Sequence, residues 1–452
     1  MRRHTRTVGV IGVLSLVTSV AATPVAADTA LYGFHQDLDY FGSSAPPRVD
    51  LVASIGARVS RSTLLWRVHE PSPDTLDWTR SDIVNNKLRA EGIQPLWYIG
   101  SSPSWANGSS DPWVVPDYPS AAFDTWSDRV AAFAAAAATR YPGSLWEVWN
   151  EPNERFFWKP APNREAYSVL YRKVRAAILG ADPTAKVAVG GLTGLNAGCC
   201  LRGYDFLEEM LQAGDPIDYV AIHPYAGDNQ APDDCVSFER NFRDIALMRQ
   251  LLNDYGNDAP LWVTEFGWRD TVGDGEATQA AYLARAHEML QSGRMRLCPQ
   301  HSPTEEELDI NVTVSTWFFD IDTANFPTHG VFTEEGERKL AADAFEAFVN
   351  SLPPDPQWDV MALIHGLPTD VDAYKSRGHL IAMLVSVEIV QRFVDGGWYH
   401  LALRQLESLH RRVDGCADGP PPDHDDSIVD CEAQDSVRRL MERLMASLMA
   451  SL

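Results

Sequence analysis

The sequence is poor in positive charge. Its 38 Lys and Arg residues are outnumbered by 62 Asp and Glu, for a net charge of −24 at pH 7. Phosphate binding needs basic patches, so this balance argues against a nucleic-acid partner. Cysteine is scarce too, at six residues in 452. No Cys-x-x-Cys pair or tight histidine cluster accompanies them, so a metal-site reading of the cysteines is weak. Past the N-terminus no apolar run reaches the ~18 residues that a membrane-spanning helix needs. No glycine-rich phosphate turn follows an early strand, which argues against a doubly wound nucleotide-binding sheet. No cofactor is expected.

What is present begins with a leader pattern. Arg2, Arg3 and Arg6 precede an apolar stretch from Val8 to Val20, and Val25-Ala26-Ala27 offers small residues for cleavage before Asp28. This reads as a secretory signal peptide over residues 1–27, and it predicts an exported, soluble protein. Export permits disulfides. Cys416 and Cys431 flank a Pro- and Asp-rich loop and are expected to pair. Cys199, Cys200, Cys235 and Cys298 can form two more bridges, whose connectivity the sequence leaves open.

Short apolar runs then alternate with amphipathic stretches. The strand candidates are Leu31–His35, Ala57–Leu65, Gln94–Ile99, Leu145–Trp149, Lys186–Gly190, Tyr219–His223, Leu261–Thr264 and Val312–Phe318. Between them lies helical spacing, as in Trp126, Val130, Phe133 and Ala137. Such alternation implies a parallel sheet with helices outside. Eight units in this span predict a (β/α)₈ TIM barrel over residues 28–350, with its active site at the C-terminal ends of the strands. Ser351 to Pro356 reads as a boundary. The helical patterns Arg377–Val394, Trp398–Arg412 and Glu432–Leu452 then predict a small all-α module over 351–452. Asp423, Asp425 and Asp426 could hold calcium, but a solvated acidic loop is the preferred reading.

Two strand candidates end alike. Trp146-Glu147-Val148-Trp149-Asn150-Glu151-Pro152-Asn153 and Leu261-Trp262-Val263-Thr264-Glu265-Phe266-Gly267-Trp268 each deliver a glutamate among tryptophans. Glycosidic cleavage needs a proton donor for the leaving oxygen and a second carboxylate across the ring. Glu151 and Glu265 suit these roles. One such glutamate alone would read as a surface charge or helix cap.

The two motifs give a more specific likeness. Trp149-Asn150-Glu151-Pro152 resembles the acid/base motif after the fourth strand of clan A glycoside hydrolases. Thr264-Glu265-Phe266-Gly267 resembles the nucleophile motif after the seventh. Arg61, Pro103-Ser104-Trp105, His223-Pro224-Tyr225 and Trp317 follow in the order of that barrel. The run from Arg140 through Asn153, with Phe157-Trp158 and Asp182-Pro183, is most similar to family 39 and to nearby family 5.

The resemblance implies a secreted, retaining O-glycosidase acting on a β-linked polysaccharide or oligosaccharide such as xylan, β-glucan or an exopolysaccharide. Glu265 would be the nucleophile and Glu151 the acid/base. Arg61 and Tyr225 are expected beside Glu265, whose charge would raise the pKa of Glu151. Asn150 would bind the sugar 2-hydroxyl. His35 is expected to reach a hydroxyl, and His223 to contact substrate or sit satisfied in the core. Trp317 is expected under the sugar as an apolar floor, with Trp105, Trp268, Trp66 and Trp158 extending the lining. Glu147 reads as structural and Glu154 as a loop charge. A carbohydrate-binding barrel without turnover and a transglycosylase using the same residues are the alternatives.

Overall fold

The computed structural model describes residues 30–37, 48–194, 201–236, 240–368, 370–414, 416 and 426–452. Residues 1–27, read as a signal peptide, and Cys199, Cys200, Asp423 and Asp425 lie outside the described residues. The strands are β1 (Leu31–Gln36), β2 (Val59–Leu65), β3 (Gln94–Gly100), β4 (Leu145–Asn150), β5 (Lys186–Thr193), β6 (Tyr219–His223), β7 (Leu261–Phe266), β8 (Arg294–Arg296), β9 (Glu307–Asp309) and β10 (Val312–Trp317). Eight close into a parallel barrel in the order β1-β10-β7-β6-β5-β4-β3-β2. These are the eight expected strands, and helices surround them. The antiparallel pair β8–β9 was not expected. Its strands are three residues each and carry charges tied across the pair, as in Arg294 Nε to Glu307 at 3.0 Å, so no apolar pattern announces it.

The helices form where the sequence caps them and gives them an apolar stripe. Ser120 accepts from the Phe123 N–H to start the helix Ala121–Arg140, and Phe123, Trp126, Val130, Phe133 and Ala137 bury one face against the barrel. Asn163 caps Arg164–Ala181 in the same way, and Asp182-Pro183 ends it.

The barrel's lower end is closed by apolar side chains. Val59, Leu96, Leu145, Ala188, Ala221, Trp262 and Val314 form one cluster, with one residue from each of seven strands. Moving two positions along β2, β3, β4 and β6 keeps the side chain inside and reaches Arg61, Tyr98, Glu147 and His223. The interior therefore changes from hydrocarbon to charge within one layer.

Beyond Leu352 the helices Pro356–Gly366, Arg377–Asp395, Tyr399–His410 and Cys431–Ala450 share a separate apolar cluster that includes Leu363, Val387, Leu406 and Leu444. The first of these helices was missed because it begins inside the Pro-rich stretch read as a boundary. Pro356 occupies its first turn and Asp355 caps the Trp358 N–H, a position where proline costs no hydrogen bond. The group packs under the barrel, where Arg439 meets Glu91 at 3.1 Å and a Cβ on Gly92 would strike Leu440 at 2.7 Å. Cys416 and Cys431 are bonded, as expected, and Cys235 pairs with Cys298.

Candidate active site

The site is built around Arg61. This side chain is fully buried, and so is Glu147 beside it. Arg61 Nε and Nη2 donate to Glu147 Oε2 at 3.0 and 2.8 Å, and Nη2 also donates to Asn150 Oδ1 at 2.8 Å. Nη1 donates to Glu265 Oε1 at 2.7 Å and to His35 Nδ1 at 3.0 Å. Guanidinium has donors only, so His35 Nδ1 must be bare and the ring neutral, with its proton on Nε2. Burial and the Arg61 charge both hold the His35 pKa well below its ordinary value, in agreement. The guanidinium also lies over the Tyr98 ring, 4.5 Å from its centroid. A buried cation left without counter-charge would cost several kcal/mol. Here every face of Arg61 meets an acceptor or a ring.

Glu265 therefore has both oxygens engaged, one by Arg61 and the other by the Tyr225 hydroxyl at 3.1 Å. Glu151 has a different environment. His223 Nδ1 lies 2.9 Å from Glu151 Oε1, and burial lowers the His223 pKa to about 4, so the imidazole is a neutral partner. Burial also pushes the Glu151 pKa up to about 7, opposed by a hydrogen bond from Thr193 and aided by the charge of Glu154. Desolvation, and not the charge of Glu265, is thus the chief cause, which corrects the sequence expectation. The imidazole fits only because position 191 has no side chain. A Cβ there would lie 2.0 Å from His223 Nε2.

Backbone irregularities aim both glutamates. Trp149 and Glu151 have φ of 72° and 41°, values that are rare outside glycine and strained for a bulky residue. The twist at Trp149 sends its ring outward among Trp113, Trp126 and Trp158, and turns Asn150 inward to Arg61. On β7 four residues, from Val263 to Phe266, run beside three on β10, from Ser315 to Trp317. The extra residue is a β-bulge. It lets Glu265 enter the barrel although Trp262, three positions earlier, also faces inward.

A cavity of about 460 Å³ opens above this network, lined by His35, Tyr98, Asn150, Glu151, Phe156, Phe157, Glu265, Phe318, Phe319, Asn325 and Phe326. Of the residues expected here, Glu151, Glu265, Asn150, Arg61, His223, Tyr225 and His35 are brought together. The tryptophans are not. Trp317 is fully buried between Phe266 and Trp268, and its indole donates to the His329 carbonyl. The next residue, Phe318, faces the cavity instead. Trp268 is also core, donating to the Gln230 carbonyl. Trp105 packs edge-on to Trp66 and donates to the Glu70 carbonyl, outside the cavity lining. Trp66 and Trp158 are buried. Tyr98, Phe318, Phe319 and Phe326 were missed. Only for Tyr98 was a signal available, in its two-residue offset from Leu96 on β3.

Ligand atoms of Glu151, His223 and Glu265 lie within 4.8 Å of one another, a spacing that could also hold a cation. Glu265 has both oxygens taken by Arg61 and Tyr225, however, and a carboxyl with a pKa of about 7 is a poor ligand at neutral pH. The cluster suits proton transfer beside a nucleophile better.

Known proteins share this arrangement of fold and sequence. A curated β-xylosidase from Geobacillus stearothermophilus is 29% identical over 187 residues, covering 36% of this chain and 35% of that protein. The chain thus spans about a third of that relative's length. The barrel superposes on a family 39 glycoside hydrolase from Bacteroides cellulosilyticus WH2 with a TM-score of 0.54 and 20% identity, covering 72% of this chain and 64% of that one. A monomeric β-xylosidase from Caulobacter crescentus CB15 gives a TM-score of 0.52 and 20% identity, with 74% and 70% covered. Residues 75–336, more than half of the 452 in the sequence, match the family described as glycosyl hydrolases family 39, and the chain belongs to that family.

Proposed function

We propose that the protein is an exported β-glycosidase that works with retention, with Glu265 as nucleophile and Glu151 as acid/base. One observation carries this reading: an oxygen of Glu151 and one of Glu265 lie within 4.8 Å. Retaining enzymes hold their carboxyl groups ~5–5.5 Å apart, whereas inverting ones need ~6.5–9.5 Å to admit a water. The two environments also divide the labour. Glu265 accepts from Arg61 and Tyr225, as an ionised nucleophile requires, while the pKa of Glu151 at about 7 leaves it a proton to give.

In the first half-reaction Glu265 attacks the anomeric carbon while the glycosidic C–O bond breaks. Glu151 passes its proton to the leaving oxygen. In the second half-reaction a water attacks the same carbon, gives its proton to Glu151, and displaces Glu265. Asn150 spends its carbonyl on Arg61, which leaves its amide N–H₂ group to donate to the sugar 2-hydroxyl. His35 presents its Nε2–H toward the same cavity, and Phe318 offers a ring for the C–H face of a pyranose.

The substrate is a β-linked oligosaccharide or polysaccharide, and β-xylosides are the first probes because two of the similar proteins are β-xylosidases. The two disulfides among the described residues fit an oxidising destination, and the leader pattern over residues 1–27 supplies the route. N-terminal sequencing of protein from the culture medium should begin at Asp28. The mechanism is tested with a 2-fluoro β-xyloside bearing a dinitrophenolate leaving group. Peptide mapping should find the label on Glu265 and product NMR should show retention; a label elsewhere, or inversion, rejects the assignment.

A further inference from the structure

Arg61 faces two carboxylates, and the mechanism above uses only one. Glu147 takes two of its N–H donors on a single oxygen, at 3.0 and 2.8 Å, while Glu265 takes a third at 2.7 Å. Glu147 and Arg61 are both wholly buried, and Glu147 does not line the cavity. It cannot touch substrate. Its other oxygen is buried with no hydrogen-bond partner among the described residues, so Arg61 is the cation it serves. Burying a carboxylate in this way is expensive unless the charge is needed.

Charge counting through the proposed reaction shows the need. In the free enzyme Arg61 (+1) sits between Glu147 (−1) and Glu265 (−1). When Glu265 bonds to the anomeric carbon it becomes a neutral ester, and the negative charge moves to Glu151, which has lost its proton. Without Glu147, Arg61 would then be a buried cation with no carboxylate on it. With Glu147, the Arg61 charge stays matched.

We propose that Glu147 is a positioning residue acting through Arg61: it supplies the counter-charge that lets Glu265 give up its own charge when the covalent intermediate forms. This rests on Glu265 being the nucleophile. The two half-reactions should then respond in opposite directions. Glu147→Gln concentrates Arg61 on Glu265, which favours the ionised carboxylate over the ester. Formation of the glycosyl-enzyme slows, and its breakdown, which restores that carboxylate, speeds up. A stabilisation equivalent to one pKa unit is a factor of ten, and it is shared between the two steps, so a change of about threefold in each direction is expected. A residue that merely shaped the site would slow both steps.

The test measures inactivation by the 2-fluoro β-xyloside and, after removal of excess reagent, recovery of activity on a fast aryl xyloside. The Gln variant retains a paired Arg61, through Glu265, Asn150 and His35, so it should fold. Glu147→Asp keeps the charge one methylene further away and should show smaller shifts with the same opposite signs. It serves as the test if the Gln variant does not fold. Slower inactivation with faster recovery is the expected result. Rate constants that fall together, or do not move, overturn the proposal. If the wild-type protein is never labelled, the nucleophile assignment fails first, and the two failures are distinguished.

Discussion

Two cavities of about 460 Å³ open at opposite ends of this barrel. The upper one sits over Glu151, Glu265 and Asn150. The lower one lies at the strand starts, among Leu31, Gln94, Leu145 and Lys186, where Trp358 and His365 of the C-terminal helices complete it. Their sizes are the same, so volume does not single out the site. Convergent polar groups do. The upper end gathers one arginine, three glutamates and two histidines joined by hydrogen bonds. The lower end has behind it the apolar layer of Leu96, Trp262 and their neighbours. One end is organised for charge to move, the other for stability.

Removing the proposed nucleophile should break the upper end alone. Glu265→Ala should cut kcat/KM by at least ~10⁴-fold, since loss of a nucleophile is among the largest single effects in enzymes. Glu151→Gln should cost ~10²–10⁴-fold on alkyl glycosides and much less on aryl glycosides whose leaving group needs no proton. Both variants should keep the wild-type circular dichroism. An equal loss on both leaving groups would sink the role of Glu151.

At the lower end the pattern should reverse. Trp262→Ala removes a wholly buried indole from the apolar layer and should cost ~3–5 kcal/mol of stability. Urea unfolding measures this. The folded fraction should keep its kcat/KM and its pH profile; a shifted profile would show that the two ends are coupled.

The smallest expected effect concerns protons. In its proposed role Glu151 must be protonated to act, and burial pushes its pKa up to about 7. Activity should therefore fall as pH rises through that value. Phe157→Ala would admit water beside Glu151 and weaken desolvation. The alkaline limb should move to lower pH, by about one unit or less. A limb that stays at the wild-type position would show that burial does not set it.

Much of the upper end was legible in the sequence. Eight strand patterns in order placed Glu151, Arg61, His223 and Tyr225 at the ends where βα loops meet, and those side chains converge. The aromatic lining was not legible. Trp317 was expected in the cavity and lies in the core, with Phe318 in its place. A tryptophan at a strand end can point either way, and one irregular step decides which. Glu147 looked structural for a similar reason: its partner Arg61 is 86 residues away in the chain, and no local pattern announces that contact.

The sequence by itself determined the strand alternation, the barrel order and the two glutamate-bearing strand ends, because these follow from periodicities of a few residues. Tertiary structure decided the rest. The positive φ at Trp149 and the bulge on β7 turned Asn150 and Glu265 inward, against simple alternation. Burial, which exists only when distant strands close on one another, lifted the pKa of Glu151 and set Arg61 between two carboxylates. Alternation is a property of the local backbone, whereas desolvation and charge pairing belong to the closed barrel.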